Sequence, residues 1–135
     1  MSATQDMLVA DDPGPRPGPD PGTSASGLLT ALMAHYRKPG SARGGCILIT
    51  EAEAPKSLRR CDLIRVGVAS RGNEIDGHEL KVTRSDWLRE LDTPVKADAW
   101  WPYCTRWWIV APPGVVLDGE LPAGWGLMEP RAPVK

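Results

Sequence analysis

Three polar residues near the middle of the chain have types and spacing that suit phosphodiester hydrolysis. Glu79 and Lys81 stand two apart at the end of one β-prone stretch, and Asp62 stands near the start of the preceding one. Two neighbouring carboxylates repel one another, and a hard cation such as Mg²⁺ or Mn²⁺ relieves that repulsion. A bound cation lowers the pKa of a water and polarises a phosphoryl oxygen. We therefore expect Asp62, Glu79 and the backbone carbonyl of Leu80 to be metal ligands, and Lys81 to orient the water or neutralise the phosphate.

A hairpin predicts that these side chains meet. Ser70-Arg71-Gly72-Asn73 is typical of a turn, and the flanking stretches 61–68 and 74–82 are β-prone. With Arg71-Gly72 as a two-residue turn, Asp62 faces Lys81 and Ile64 faces Glu79. Because side chains alternate faces along a strand, the acidic pair and the lysine share one face. This prediction survives a register shift of two residues and fails for a shift of one.

A helix is predicted directly after this strand. Thr83 suits the N-cap position, and Asp86 three residues later completes a capping signal. The apolar stripe of this helix is Trp87, Leu88 and Leu91. Thr93 and Pro94 then indicate a new helical start, with Thr93 as the cap.

The remaining periodicities complete an α/β domain. Apolar residues at helical spacing predict a helix over 27–37. Further strands are predicted at 46–50, 107–111, 115–117 and 125–129. The order αβββαβ favours a mixed sheet with helices packed on it.

Composition separates a tail from a single domain. Residues 1–26 are rich in Pro, Gly, Asp and Ser, which favours disorder, so we place the domain at 27–135. Without the tail, 15 basic side chains face 13 acidic ones, a balance too weak to imply nucleic acid by itself. Three cysteines without Cys-x-x-Cys spacing favour a reducing, cytoplasmic compartment. No stretch predicts a signal peptide or a membrane span.

The acid, the Glu-x-Lys pair and the helix that follows resemble a known group of enzymes. Asp62 followed by Glu79-Leu80-Lys81 after a hairpin resembles the PD-(D/E)XK nuclease superfamily, and the element order agrees with its restriction-endonuclease-like fold. The stretches Arg59–Asp62, Glu79–Leu91 and Tyr103–Trp108 are similar to small MmcB-like DNA repair and phage proteins. The resemblance implies a metal-dependent deoxyribonuclease in repair, recombination or phage DNA processing, with Asp62 and Glu79 as metal ligands and Lys81 as the catalytic lysine. A further acid on the first helix, present in many members, is missing here, and Glu51 and Glu53 are candidate substitutes.

Several basic or polar residues are candidate DNA contacts, and other functions stay open. The candidates are Arg37, Lys38, Arg43, Lys56, Arg59, Arg60, Arg84 and Ser85. A solvated surface is an equal interpretation of the basic members of this set, and helix capping is the favoured one for Ser85. The alternatives to a nuclease are a DNA-binding protein of the same fold without cleavage, and a protein-interaction or inhibitor module. A protein partner or a homodimer is compatible with each of these functions. For Glu79 and Lys81 themselves, the simplest alternative is a solvated ion pair on an exposed strand.

Overall fold

A computed structural model describes residues 24–37, 45–68 and 73–130. The described elements are α1 (Ala25–Tyr36), β1 (Cys46–Glu53), β2 (Arg60–Gly67), β3 (Ile75–Leu80), α2 (Arg84–Asp92), α3 (Val95–Trp100), a 3₁₀ turn (Trp101–Tyr103), β4 (Arg106–Val110) and β5 (Trp125–Met128). These elements confirm an α/β domain with a mixed sheet flanked by helices.

The five strands form one sheet in the order β1-β2-β3-β4-β5. β2 is antiparallel to both of its neighbours, β1 and β3, whereas β3, β4 and β5 run parallel. A parallel pair needs a crossover connection, and α2 with α3 supplies the one between β3 and β4. The carboxyl ends of β3 and β4 therefore lie at the same end of the sheet as the start of β2.

Each face of the sheet is covered by different helices. On one face, α1 buries Leu28, Leu32 and Tyr36, and the last two join Leu63 and Val110 in an apolar cluster. On the other face, α2 and α3 contribute Trp87, Ala97 and Trp100 to clusters with Ile64, Trp107 and Ile109. The alternation along β2 and β4 thus divides consecutive residues between two cores.

Gly77 lets the indole ring of Trp107 approach β3 closely on the face covered by α2 and α3. A Cβ atom at Gly77 would stand 2.5 Å from a ring carbon of Trp107, so no larger residue fits without moving that ring. Because Gly77 shares a face with Glu79 two residues later, the Trp107 ring lies on the same face of the sheet as the Glu79 side chain.

Local predictions are confirmed at some element ends and wrong at others. Thr83 caps α2, because its hydroxyl accepts a hydrogen bond from the Asp86 N–H (3.2 Å). Thr93 is the C-cap of α2 rather than a new N-cap; the N-cap of α3 is Pro94, which has no side chain able to accept the bond. Leu88, predicted in the apolar stripe, is exposed.

Two segment boundaries also need correction. Residues 115–117 do not form a strand, because turns surround them and Gly114 adopts a φ of 90°. The tail predicted over 1–26 runs three residues too far, because Ser24 already caps α1 and the helix begins at Ala25. The prediction of disorder over 1–23 lies outside the described residues.

Candidate active site

Asp62 and Glu79 meet where β2 and β3 begin to separate. The strand register pairs Leu63 with His78, so continuing it by one residue sets Asp62 opposite Glu79. This register differs by two residues from the predicted one, and the shared face is therefore preserved. The Asp62 N–H donates to Glu79 Oε1 (3.2 Å), and the Leu80 N–H donates to Asp62 Oδ2 (2.8 Å). The carboxylates thus replace ladder hydrogen bonds and are fixed to the opposite strand.

Lys81 joins the same cluster from just beyond the end of β3. Its Nζ lies 3.5 Å from Glu79 Oε2 and 3.0 Å from Glu90 Oε1. The Lys81 side chain is only 14% exposed and Glu79 only 1%. The three residues predicted to be catalytic therefore share one face, and Glu79 is far more buried than a surface ion pair would be.

Two further charged residues reach the site from the helices. Lys96, the second residue of α3, places its Nζ 3.2 Å from Glu79 Oε2. Glu90 of α2 is buried and holds Lys81 through Oε1. Sequence reasoning missed both, although each has a signal: Glu90 stands three residues after Trp87, and Lys96 four before Trp100. At those spacings a charged residue shares the buried face of its helix.

Electrostatics single out Glu79 within this cluster. Burial, and then the nearby Asp62 carboxylate, raise the pKa of Glu79 to about 7, although Lys96 and Lys81 act in the opposite direction. Burial disfavours the charged form of Lys96, but the Glu79 carboxylate outweighs this and raises the pKa of that lysine above its usual value. A buried carboxyl group with a pKa near neutral is typical of functional sites.

The donor set fits a cation that needs few protein ligands. Among the residues that the structure describes, no three His, Cys, Asp or Glu side chains form a group that could hold a metal. Asp62 and Glu79 remain as a close pair, and Mg²⁺ is commonly held by one or two carboxylates with waters and substrate oxygens completing its shell. Burial, and after it the Asp62 carboxylate, raise the pKa of Glu79, and a cation between the two carboxylates would offset both effects. Asp62 and Glu79, with the adjacent Leu80 carbonyl, are the residues that would hold Mg²⁺ or Mn²⁺.

The candidate substitutes for the missing helix acid both lie on β1, where the register sets Glu51 opposite Asp62. Glu53 is exposed and forms an ion pair with Arg60 (3.0 Å). Glu51 is also exposed and adopts a left-handed backbone conformation with a φ of 53°. Neither completes a metal-binding group with Asp62 and Glu79 within the described ranges.

The basic candidates for DNA contact divide between the two ends of the sheet. Lys56 and Arg59 are exposed in the loop between β1 and β2, which adjoins the start of β2 and hence Asp62. Arg37 follows α1, whose end meets Cys46 through a thiol-to-carbonyl contact of 3.9 Å at Tyr36. Cys46 pairs with Gly67, five residues and about 16 Å along β2 from Asp62. Lys38 and Arg43 lie outside the described residues.

Three other candidates for DNA contact already have protein partners. Arg60 pairs with Glu53 on the exposed edge. Arg84 donates to both carboxylate oxygens of Glu120 (2.7 and 2.9 Å). The Ser85 hydroxyl lies 3.1 Å from that of Thr83 at the start of α2. Lys56 and Arg59 are thus the basic candidates best placed beside the site.

No described helix is long and apolar enough to cross a membrane. Comparison with protein-family models, with curated proteins and with solved structures found no match for this chain.

Proposed function

We propose that this chain is a Mg²⁺- or Mn²⁺-dependent deoxyribonuclease with a restriction-endonuclease-like core. The observation that carries the proposal is Glu79, a buried carboxyl group that faces Asp62 and contacts Lys81 at one end of the sheet. Burying the Glu79 carboxyl group between the partly buried Asp62 and Lys81 is costly, and stability alone does not favour it. A site that binds a cation and a phosphate explains the cost.

Each residue of the cluster has a role in this proposal. Asp62 and Glu79 would hold the cation, and the Leu80 carbonyl would add an oxygen. When bound, a divalent cation lowers the pKa of a water and polarises a phosphoryl oxygen. Lys81 would orient the attacking water and offset charge on the phosphate. Glu90 would position Lys81, since its Oε1 accepts from the lysine at 3.0 Å.

DNA is the proposed substrate because exposed cationic side chains lie beside the cluster. Lys56 and Arg59 extend from the loop between β1 and β2, next to the start of the strand that carries Asp62. Contacts of lysine and arginine with phosphates supply affinity without sequence preference. The resemblance of Asp62 and Glu79-Leu80-Lys81 to nuclease motifs favours repair, recombination or phage DNA processing as the setting.

A DNA-binding protein without cleavage is the second candidate. Lys81 and Lys96 both contact Glu79 Oε2, so the carboxyl group has protein counter-ions before any cation arrives. With only two carboxylates in the set, this pairing favours a protein that binds phosphate but does not hold a metal tightly.

Cleavage assays distinguish these candidates. Labelled single strands, duplexes, nicks, flaps and junctions would be incubated with Mg²⁺ or Mn²⁺ and either the parent protein or Lys81→Ala. We expect the parent to cut at least one substrate and the variant to lose 10²-fold or more of that rate, as expected when a proton-transfer or charge-stabilising group is removed.

Glu53→Gln is the matched control, because it removes an exposed carboxylate on the neighbouring strand and should leave cleavage unchanged. DNA binding without cleavage by the parent would favour the second candidate. Absence of both would contradict both and leave a protein-interaction module as the remaining alternative.

A further inference from the structure

Two lysines contact the same oxygen of Glu79, yet their surroundings differ. Lys81 is held between Glu79 and Glu90, and its side chain is 14% exposed. Lys96 contacts Glu79 at 3.2 Å, and its side chain is 38% exposed. Lys81 is therefore fixed by two carboxylates, whereas Lys96 forms an ion pair with Glu79 and has the more exposed side chain.

Helix stability does not explain a lysine at this position. Lys96 is the second residue of α3, where the positive end of the helix dipole opposes a cation. The helix is anchored by Ala97 and Trp100, which pack in the core beside Ile64. This anchoring holds the Lys96 backbone beside the carboxylate pair, so that the position serves the cluster and not the helix.

Charge balance indicates what the Lys96 ammonium can bind. With all groups ionised, the carboxylates of Asp62, Glu79 and Glu90 outnumber the two ammonium groups by one. A divalent cation on Asp62 and Glu79 would reverse the excess to one positive charge. It would also share Glu79 with Lys96, and like charges at such separations repel. One phosphodiester group, with its single negative charge, would restore neutrality.

We propose that Lys96 binds a phosphate of the DNA substrate, and that Glu79 is the counter-ion of this lysine in the free protein. The proposal rests on the function proposed above, to which it adds a second cationic residue from α3. Lys96 would contact the substrate directly, while Lys81 remains between its two carboxylates.

The test measures DNA affinity against salt concentration and needs no cleavage. Fluorescence anisotropy would follow binding of a labelled duplex in Ca²⁺, with electrophoresis to verify that the DNA stays intact. The slope of log K against log salt is negative, and losing one phosphate contact makes it less steep by about 0.9 for duplex DNA. We expect Lys96→Gln to show that change, with affinity about tenfold weaker at low salt because a charge-assisted contact is lost.

Two variants separate this role from a structural one. Lys96→Arg keeps the charge and should retain the parental slope. Arg89→Gln removes a charge from α2 whose side chain is 76% exposed, and it should also leave the slope unchanged.

A parental slope in a folded Lys96→Gln protein would overturn the proposal, as would equal losses in Lys96→Gln and Arg89→Gln. If the parent cleaves DNA and Lys96→Gln keeps the parental slope, only the Lys96 role is refuted. If Lys96→Gln has a less steep slope but the parent does not cleave DNA, only the nuclease function is refuted. A parent that does not bind DNA would overturn both.

Discussion

Strand β3 carries two buried carboxyl groups whose pKa values shift in opposite directions. Asp76 is fully buried near the start of the strand, and Glu79 is 1% exposed near its end, on the opposite face. Burial raises the pKa of both groups, yet the pKa of Asp76 ends below its usual value and that of Glu79 rises to about 7. Two carboxyl groups with almost no exposed surface thus have opposite pKa shifts, and their partners differ accordingly.

Asp76 has a complete set of donors. Arg65 and Arg106 donate to it at 2.9 and 2.6 Å, and the Trp108 indole donates at 3.0 Å. These bonds, led by that of Arg106, favour the ionised form more than burial disfavours it. A buried charge that is fully paired and hydrogen-bonded is a structural element.

The cluster around Glu79, by contrast, contains one more carboxyl group than ammonium groups. Glu79 faces Asp62, and both of its lysine partners are compact point charges that can exchange ligands. The neighbouring Glu90 Oε2 is buried without a hydrogen-bond partner in the described part of the chain. The comparison indicates that β3 combines a structural acid at one end with a functional acid at the other.

The largest expected effect is on stability at the structural end. Asp76→Asn would leave the Arg65 guanidinium, 2% exposed, without its main counter-ion. Breaking a buried ion pair in this way costs about 3–5 kcal/mol. Urea denaturation would measure the loss, and Glu74→Gln is the matched control. Glu74 contacts the same arginines but is 51% exposed, so its loss should cost below about 1 kcal/mol. Equal losses in the two variants would contradict the distinction.

A smaller, pH-dependent effect is expected at Glu79. Because folding raises its pKa from 4.5 to about 7, the protonated group favours the folded state. This contribution is complete below about pH 4.5 and is lost as the pH rises through 7. The side chain in Glu79→Gln stays neutral at every pH. The unfolding free energy of the variant minus that of the parent should therefore increase by up to about 3 kcal/mol as the pH rises. Denaturation at pH 4.5, 6 and 8 measures the difference, and a constant difference would refute the assignment.

The smallest effect concerns the repulsion between the two carboxylates. Asp62→Asn keeps an oxygen that can accept from the Leu80 N–H but removes the charge that faces Glu79. The pKa of Glu79 should therefore move down toward its usual value, and the variant should be up to about 1 kcal/mol more stable than the parent at pH 8. Carboxyl NMR chemical shifts against pH would report the direction. A higher pKa in the variant would show that Asp62 does not act through repulsion.

Sequence patterns predicted the part of the site that depends on strand alternation. Asp62, Glu79 and Lys81 share a face under either hairpin register, because an even shift preserves the period of two. The prediction did not extend to Glu90 and Lys96, since their approach depends on how α2 and α3 pack across the sheet. Tryptophan spacing marks their buried faces but does not indicate which strand residue those faces meet.

Local patterns also misled where tertiary partners decide the backbone. Val115 and Val116 are β-prone, yet both are buried in a turn whose Val115 carbonyl accepts from Arg84 (2.9 Å). Leu117 donates its N–H to the Glu120 carboxylate instead of to a neighbouring strand. Side chains, one of them 31 residues away, satisfy this backbone in place of a neighbouring strand, and a propensity scale contains no term for them.

Calorimetry of Mg²⁺ and Mn²⁺ binding tests the central claim most directly. Metal ligands must be deprotonated, so binding should release about half a proton at pH 7, where Glu79 is half protonated, and almost none at pH 9. Titrations in buffers of different ionisation enthalpy measure this number, with Glu79→Gln and Glu53→Gln alongside. The account predicts one cation per chain, proton release that disappears with rising pH, and loss of both only in Glu79→Gln. Absence of cation binding to the parent, or unaltered binding in Glu79→Gln, would contradict it.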